Sequence, residues 1–323
     1  MMNIGLALPH MGEQATAENI RVFAVYAERN GWDSVWTGER LLHPVNPKTP
    51  YPAKADGKLK PAAKRVFEHL TVLSYVAAIT DRVRLGVSVL VLPYHNPVLL
   101  GRRLATLDQL SHGRVTAGVG VGWSADEFEA AGTPFHERGK VTEEAVRALR
   151  AVWGPDPVEF TGEYYTIPAS VIAPKPVQNP LPIVMAGLSP KALDRVGRIA
   201  DGFNGFTAAG VDVDTLIEMI SRVRQAAKAS GRDLKDFPTV VRANVMPSPD
   251  DSELPEQGRQ VANGSWDQIA TDMNRLAAAG VEEVFFDLNS LPGAENLQVQ
   301  LDIASRLYEM CQSAISNARS QSR

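Results

Sequence analysis

The residues able to do chemistry stand at the ends of short apolar runs. Glu39 and Arg40 directly follow the run 34–37, and His43 lies just beyond them. His10 follows the run 3–8, and His95 follows the run 83–90. A carboxylate or an imidazole so placed can hold or move a proton. A local ion pair or a satisfied loop histidine would use the same residues without chemistry. Gly118, Gly120 and Gly122 close the run 114–120 and lead into Trp123. Such a backbone can approach a flat ring closely, or simply turn tightly from strand to helix. With Ala125 these glycines match G-x-G-x-x-A. A dinucleotide fingerprint, however, belongs in the first strand–helix unit with an acidic residue ending the next strand. Here three units come first, and the following strand ends in Met185-Ala186. Gly187-Leu188-Ser189-Pro190 opens a helix, with Ser189 at the N-cap and Pro190 at the first helical position. The free N–H groups there suit an anion or an ordinary cap. Gly202, Phe203 and Asn204 form the next run's start after Asp201.

The six histidines show no H-x-x-x-H spacing, and none joins carboxylates in a metal-like cluster, so no metal is expected. His69 and His112 read as structural. P-loop, H-E-x-x-H and G-x-S-x-G motifs are absent, which disfavours nucleoside triphosphatases, zinc proteases and α/β-hydrolases.

Those residues need a scaffold. Apolar runs rich in β-formers lie at 3–8, 34–37, 83–90, 114–120, 182–186, 202–206, 239–245 and 283–287. Helical stretches alternate with them at 15–30, 67–80, 97–112, 139–153, 190–200, 213–230, 266–279 and from 296 to near the end. Continuous apolar runs mean strands buried on both faces, hence a parallel sheet. Eight such units in one chain predict a closed (β/α)8 barrel, an α/β fold, as a single domain over residues 1–323. Asn96-Pro97 reads as an N-cap, His112-Gly113 as a helix end, and Ser265 with Gln268 as a capping box.

Two insertions break the rhythm. Residues 40–65 hold five prolines and seven basic residues against Asp56 alone, so this loop is +6. As a βα loop it belongs to the catalytic face. Residues near 157–168 read as a hairpin around Thr161-Gly162, on the opposite face.

The chain has 323 residues, with 33 basic and 37 acidic side chains giving −4, 44% hydrophobic and 22% charged. That is an ordinary globular composition, large enough for a core without disulfides. The mild acidity disfavours nucleic acid as partner. A lone Cys311 excludes an intrachain disulfide and fits a reducing compartment. No apolar stretch nears the roughly 20 residues of a membrane span. A soluble, cytoplasmic protein is expected.

Taken together, the motifs resemble the bacterial luciferase-like family of flavin and deazaflavin oxidoreductases. The likeness rests on Leu85 through Pro97, Leu104 through Arg114, and Gly118 through Trp123 with Asp126-Glu127-Phe128 beyond. The opening Ile4 through Pro9, the strand Trp32 through Trp36, Ala200-Asp201-Gly202-Phe203 and the hairpin Phe160 through Tyr165 also fit. The chain is most similar to the actinobacterial-type branch that uses coenzyme F420, a deazaflavin. The resemblance implies a barrel with the cofactor ring across its mouth and a non-prolyl cis peptide at Ser88–Val89, forming a bulge behind the ring. It implies that Gly120, Gly122, Trp123 and Arg40 border the cofactor. Gly187, Leu188 and Ser189, with Gly202, Phe203 and Asn204, would hold its phosphate.

Two departures stand out. Many members carry Asp-His where this chain has Glu39-Arg40, which leaves His43 as a substitute imidazole. The sugar-phosphate dehydrogenase branch carries Glu where this chain has Trp123. The resemblance further implies hydride transfer between the deazaflavin and a small organic substrate, with Glu39, His10 or His43 managing the proton. The basic loop would attract the cofactor's anionic phosphodiester and glutamate tail. The alternatives are an FMN-dependent two-component monooxygenase served by a separate reductase, and a catalytically silent flavin-binding relative. A homodimer is the family's common state.

Overall fold

The computed structural model describes residues 2–321. Eight parallel strands close into a barrel, each paired with its neighbours in chain order. They are β1 Asn3–Ala7, β2 Ser34–Thr37, β3 Arg84–Val91, β4 Val115–Gly120, β5 Ile183–Met185, β6 Gly202–Phe206, β7 Thr239–Asn244 and β8 Glu283–Asp287. Closure is direct: Asn3 through Leu6 of β1 pair in register with Glu283 through Phe286 of β8. All eight expected strands are present, and the expected (β/α)8 barrel is the fold.

The helices follow: α1 Ala17–Arg29, α2 His69–Ala77, α3 Pro97–Leu110, α4 Ala125–Ala131, α5 Arg138–Trp153, α6 Pro190–Ile199, α7 Val213–Ala229, α8 Trp266–Ala278 and α9 Leu297–Gln321. The short α4 was not anticipated. Its seven residues carry three acids and offer too few turns for a clear apolar stripe. The caps form as read. Asn96 Oδ1 accepts from the N–H groups of Val98 and Leu99, and Ser265 and Gln268 make the reciprocal capping box. α3 stops at Leu110, and His112 and Gly113 then turn through left-handed backbone at φ 56° and 81°.

The buried Asp108 and the half-buried Arg114 brace the barrel away from its mouth. Asp108 accepts from the backbone N–H and the side-chain amide of Gln178 at 2.9 and 2.7 Å. Arg114 donates to the carbonyls of Ala77, Thr80, Val83 and Ser111. These satisfied networks explain part of the sequence pattern between β3 and β4 without invoking catalysis. Inside the barrel, Trp36 stacks on Phe285 with centroids 4.4 Å apart and planes 8° from parallel. Gly86 has no side chain because Trp36 covers it: an added Cβ would lie 2.2 Å from the indole.

The insertion after α5 is a two-stranded antiparallel hairpin, Val158–Thr161 with Thr166–Ser170. Its turn wraps the buried Glu144 carboxylate, which accepts from the N–H groups of Glu163, Tyr164 and Tyr165. The loop 40–65 straps the barrel mouth. It is fastened at one end to α4, near its middle by Ala209 N–H donating to Ala53 O, and at its far end by Gly12 N–H donating to Arg65 O. No described helix is long and apolar enough to cross a membrane.

A prediction follows for β4. A Cβ added at Gly118 would stand 2.0 Å from the Val87 carbonyl oxygen, a backbone atom that cannot rotate away. Gly118→Ala should therefore cost at least about 3 kcal/mol, the upper range for overpacking. Urea denaturation followed by circular dichroism checks this, and an unchanged midpoint would contradict the packing.

Candidate active site

The mouth is organised by a bulge in β3. The register of β3 against β4 runs Val87 to Ala117 and resumes only at Leu90 to Val119. Ser88 and Val89, joined by a non-prolyl cis peptide, occupy the gap. Two groups hold this turn. Asn204 Nδ2 donates to Ser88 Oγ at 3.2 Å, and Arg242 donates to the Ser88 carbonyl at 3.3 Å. Arg242 is itself paired with Asp287, whose carboxylate also accepts from the backbone and side-chain N–H groups of Asn289, both at 2.9 Å. Burial pushes the Asp287 carboxyl up, but the Arg242 and Lys60 charges and the Asn289 bonds hold it well below the ordinary carboxylate range.

Opposite the bulge, β4 must be bare. A Cβ at Gly120 would meet Val89 at 2.7 Å, and one at Gly122, where φ is +76°, would meet Val91 at 2.6 Å. Between bulge and glycines opens a cavity of about 250 Å³. Of the expected cofactor residues, Arg40, Ser88, Val89, Gly120, Gly122, Trp123, Gly187 and Leu188 line it. Trp123 is flanked by Tyr51, with ring centroids 5.2 Å apart, and by the Arg40 guanidinium 5.1 Å from its centroid. Ser189 caps α6, accepting from Ala192 N–H at 3.3 Å, just outside the lining.

The reading of Gly202, Phe203 and Asn204 as a phosphate loop is corrected. They begin β6, so they sit at the end of the strand away from the mouth. Phe203 is fully buried core, and a Cβ at Gly202 would strike the Pro238 carbonyl at 2.4 Å. Asn204 is equally buried, and its amide serves the bulge. At the mouth end of β6 it is Phe206 that lines the cavity.

Among the lining residues not expected at the site are Tyr51, Glu127, Phe206 and Arg242. Arg242 carried a usable signal, being a charge inside an apolar strand, with Asp287 its counterpart at the end of β8. Glu127 had none. It sits on α4, forms an ion pair with Arg40 at 3.0 Å, and accepts from the backbone N–H of Leu41 at 2.8 Å.

The proton-handling candidates separate sharply. Glu39 lines the cavity with its side chain 7% exposed; its carboxylate accepts from Val91 N–H at 2.6 Å and meets His95 Nε2 at 2.7 Å. Burial raises its pKa, yet the His95 bond, the nearby imidazoles and the backbone bond outweigh this and leave it below the ordinary value. His10 is committed elsewhere. Its Nδ1 bonds Leu8 O at 2.8 Å and its Nε2 accepts from Gly38 N–H at 3.0 Å, while burial pushes its pKa down. A neutral ring with both nitrogens engaged positions the turn after β2 and has no site left for a proton. His43 is half-buried in the strap and lines neither large cavity.

The expectation that no histidine joins a carboxylate cluster is also corrected. His69 Nε2 lies 4.0 Å from Glu39 Oε1, the same oxygen that His95 approaches. These contacts span 30 and 56 residues of sequence, so no local spacing reveals them. His69 Nε2 is buried without a hydrogen-bond partner.

A second cavity, of about 650 Å³, opens beside the first and shares Tyr51 and Ala53 with it. Lys54, Lys60, Lys64 and Arg65 of the strap line this space. Lys60 reaches inward to Ser290 Oγ, and burial lowers its pKa. The strap's nominal +6 is partly met: Arg40 pairs with Glu127 and Lys48 with Glu129, both on α4.

This geometry has relatives. The family model for luciferase-like monooxygenases matches residues 2–286. An uncharacterised protein of Mycobacterium tuberculosis is 33% identical over 262 residues, covering 80% of this chain and 89% of its own. The F420-dependent glucose-6-phosphate dehydrogenase of Amycolatopsis mediterranei is 30% identical over 251 residues, covering 76% of this chain and 70% of its own. Among solved structures, an F420-dependent secondary alcohol dehydrogenase in complex with an F420-acetone adduct superposes with a TM-score of 0.74 at 20% identity, over 94% of this chain and 96% of that one. A barrel with this bulge, this glycine wall and these relatives is an oxidoreductase, and the chain belongs to the luciferase-like monooxygenase family.

Proposed function

We infer that the chain catalyses hydride transfer between coenzyme F420 and a small organic substrate. The observation that carries this reading is the pairing of two cavities across Tyr51 and Ala53. One is a slot walled by bare backbone, suited to a flat tricyclic ring; the other is lined by four cations against Glu13 and Glu295, a net positive lining suited to an anionic tail or substrate. The names of the Amycolatopsis relative and of the alcohol dehydrogenase support the deazaflavin over FMN.

The residues present fit the group. Val89 and the glycines would take the ring's faces, and Trp123 would border its edge. The Gly187–Ser189 turn at the start of α6 would offer N–H groups to the phosphate. Lys54, Lys60 and Lys64 would draw the charged tail. When bound, the deazaflavin supplies a hydride donor or acceptor at ring carbon five; the protein supplies position and electrostatics. Glu39, aligned by His95 and by Val91 N–H, would exchange the substrate's proton at the cavity wall. His10 would keep the adjoining Gly38 turn in place.

Titration of the purified chain with oxidised F420 and with FMN tests this. F420 should bind at least tenfold more tightly; preferred FMN binding would overturn the reading in favour of an oxygen-using monooxygenase. Replacing Lys54, Lys60 and Lys64 with Ala should weaken F420 binding about tenfold at low salt and by clearly less at high salt, because exposed charge attraction is screened. A salt response equal to that of the native chain would remove the strap from cofactor binding. Glu39→Gln should lower kcat by about 100-fold, within the range for a lost acid–base group, while F420 affinity changes less than about threefold. A fall in affinity with kcat retained would make Glu39 a binding residue instead.

A further inference from the structure

We propose that Glu39, His69 and His95 form a binding site for one divalent transition-metal ion beside the ring cavity. The three ligand atoms are Glu39 Oε1, His69 Nε2 and His95 Nε2, and all lie within 4.8 Å of one another. They come from three segments that the barrel brings together: the turn after β2, the first residue of α2, and the end of the short helical turn after β3. Two imidazoles and one carboxylate are a donor set that zinc and its neighbours prefer, whereas magnesium and calcium favour oxygen ligands.

A second, independent observation concerns His69. It is only 4% exposed, and its Nε2 has no hydrogen-bond partner. A buried polar nitrogen left unpaired is costly. It points at the shared Glu39 oxygen from 4.0 Å, too far for a hydrogen bond. A cation between the two would satisfy it. Zinc holds such ligands at roughly 2.0–2.2 Å, so the ligand atoms would sit about 3.3 Å apart. His95 and Glu39, at 2.7 Å, would open slightly, and His69 would draw in.

The surroundings resemble an outer shell. Glu39 Oε2 is fixed by Val91 N–H, which leaves Oε1 for the ion. Glu68 Oε1 lies 3.7 Å from His69 Nε2 and is held by Arg103 at 3.1 Å, a paired carboxylate beside the three ligands. A bound ion would tie the ends of β2, α2 and β3 together and set a positive charge behind Glu39. The three ligands need no cofactor ring, but an ion on Glu39 Oε1 would occupy the oxygen that the proposed proton transfer uses, so the metal-loaded and metal-free states differ in that step.

The test uses the tag-free full chain, stripped with a chelator and titrated with Zn²⁺ against a chromophoric competitor. One zinc per chain is expected. His95→Ala and His69→Ala should each weaken binding by about 100-fold or more, while His136→Ala, at an exposed position elsewhere, should leave it unchanged. Because His69 is buried and its variant could fail to fold, the native chain is also loaded with Co²⁺. Imidazole and carboxylate ligation should give visible d–d absorption that an excess of Zn²⁺ abolishes. Binding of no zinc, zinc binding indifferent to both histidine variants, or the lack of a cobalt spectrum would each overturn the site. F420 titration of the same stripped sample reads the cofactor proposal separately.

Discussion

The close approach of β3 to β4 at the barrel mouth is the constraint on which the rest of the site depends. Ser88 and Val89 bulge out of the β3 ladder, and β4 can lie beside them only because Gly118, Gly120 and Gly122 carry no side chains there. The bulge is gripped from the far side of the barrel. Asn204 of β6 takes the Ser88 hydroxyl, and Arg242 of β7 takes its carbonyl with Asp287 of β8 as counter-ion. Strands half a circumference apart thus fix one turn. A paired buried charge is costly to break once formed, since removing one partner strands the other. The Arg242–Asp287 pair therefore positions the bulge through the Ser88 carbonyl.

Above that floor, the strap of residues 40–65 decides what the mouth can accept. Its first turn is neutralised by α4, through Arg40 with Glu127 and Lys48 with Glu129. Its second half keeps Lys54, Lys60, Lys64 and Arg65 toward the larger cavity, with Lys60 bonded to a hydroxyl rather than to a carboxylate. Charge docks the strap at one end; at the other, Lys54 and Arg65 have only long contacts, with Asp56 and Glu13, both at 3.8 Å. That division matches a ligand with an uncharged flat part and an anionic part.

The barrel was legible because strands buried on both faces are largely apolar, and eight largely apolar runs alternate with helical stretches. The glycine wall was legible because Gly118-Val-Gly-Val-Gly122 leaves few uses for so bare a strand end. What failed was direction and distance. Gly202-Phe203-Asn204 were given to the phosphate although they open the run 202–206, and the start of a barrel strand lies away from the mouth. The helix α4 was too short to show a period, so the partners of Arg40 and Lys48 stayed hidden. The cluster at Glu39 joins residues 30 and 56 positions apart, a proximity that only the closed barrel creates. Arg242 could have been suspected, since an arginine inside an apolar strand demands a buried partner.

The central claim is that the bulge and the glycine wall form the seat of the cofactor ring. A crystal structure of the chain grown with oxidised F420 tests it most directly. The account predicts the ring packed on Val89 and against Gly120 and Gly122, beside Trp123, with the tail leading toward the basic strap or the start of α6. A ring lodged in the larger cavity between Lys60 and Gln14, away from the bulge, would contradict it.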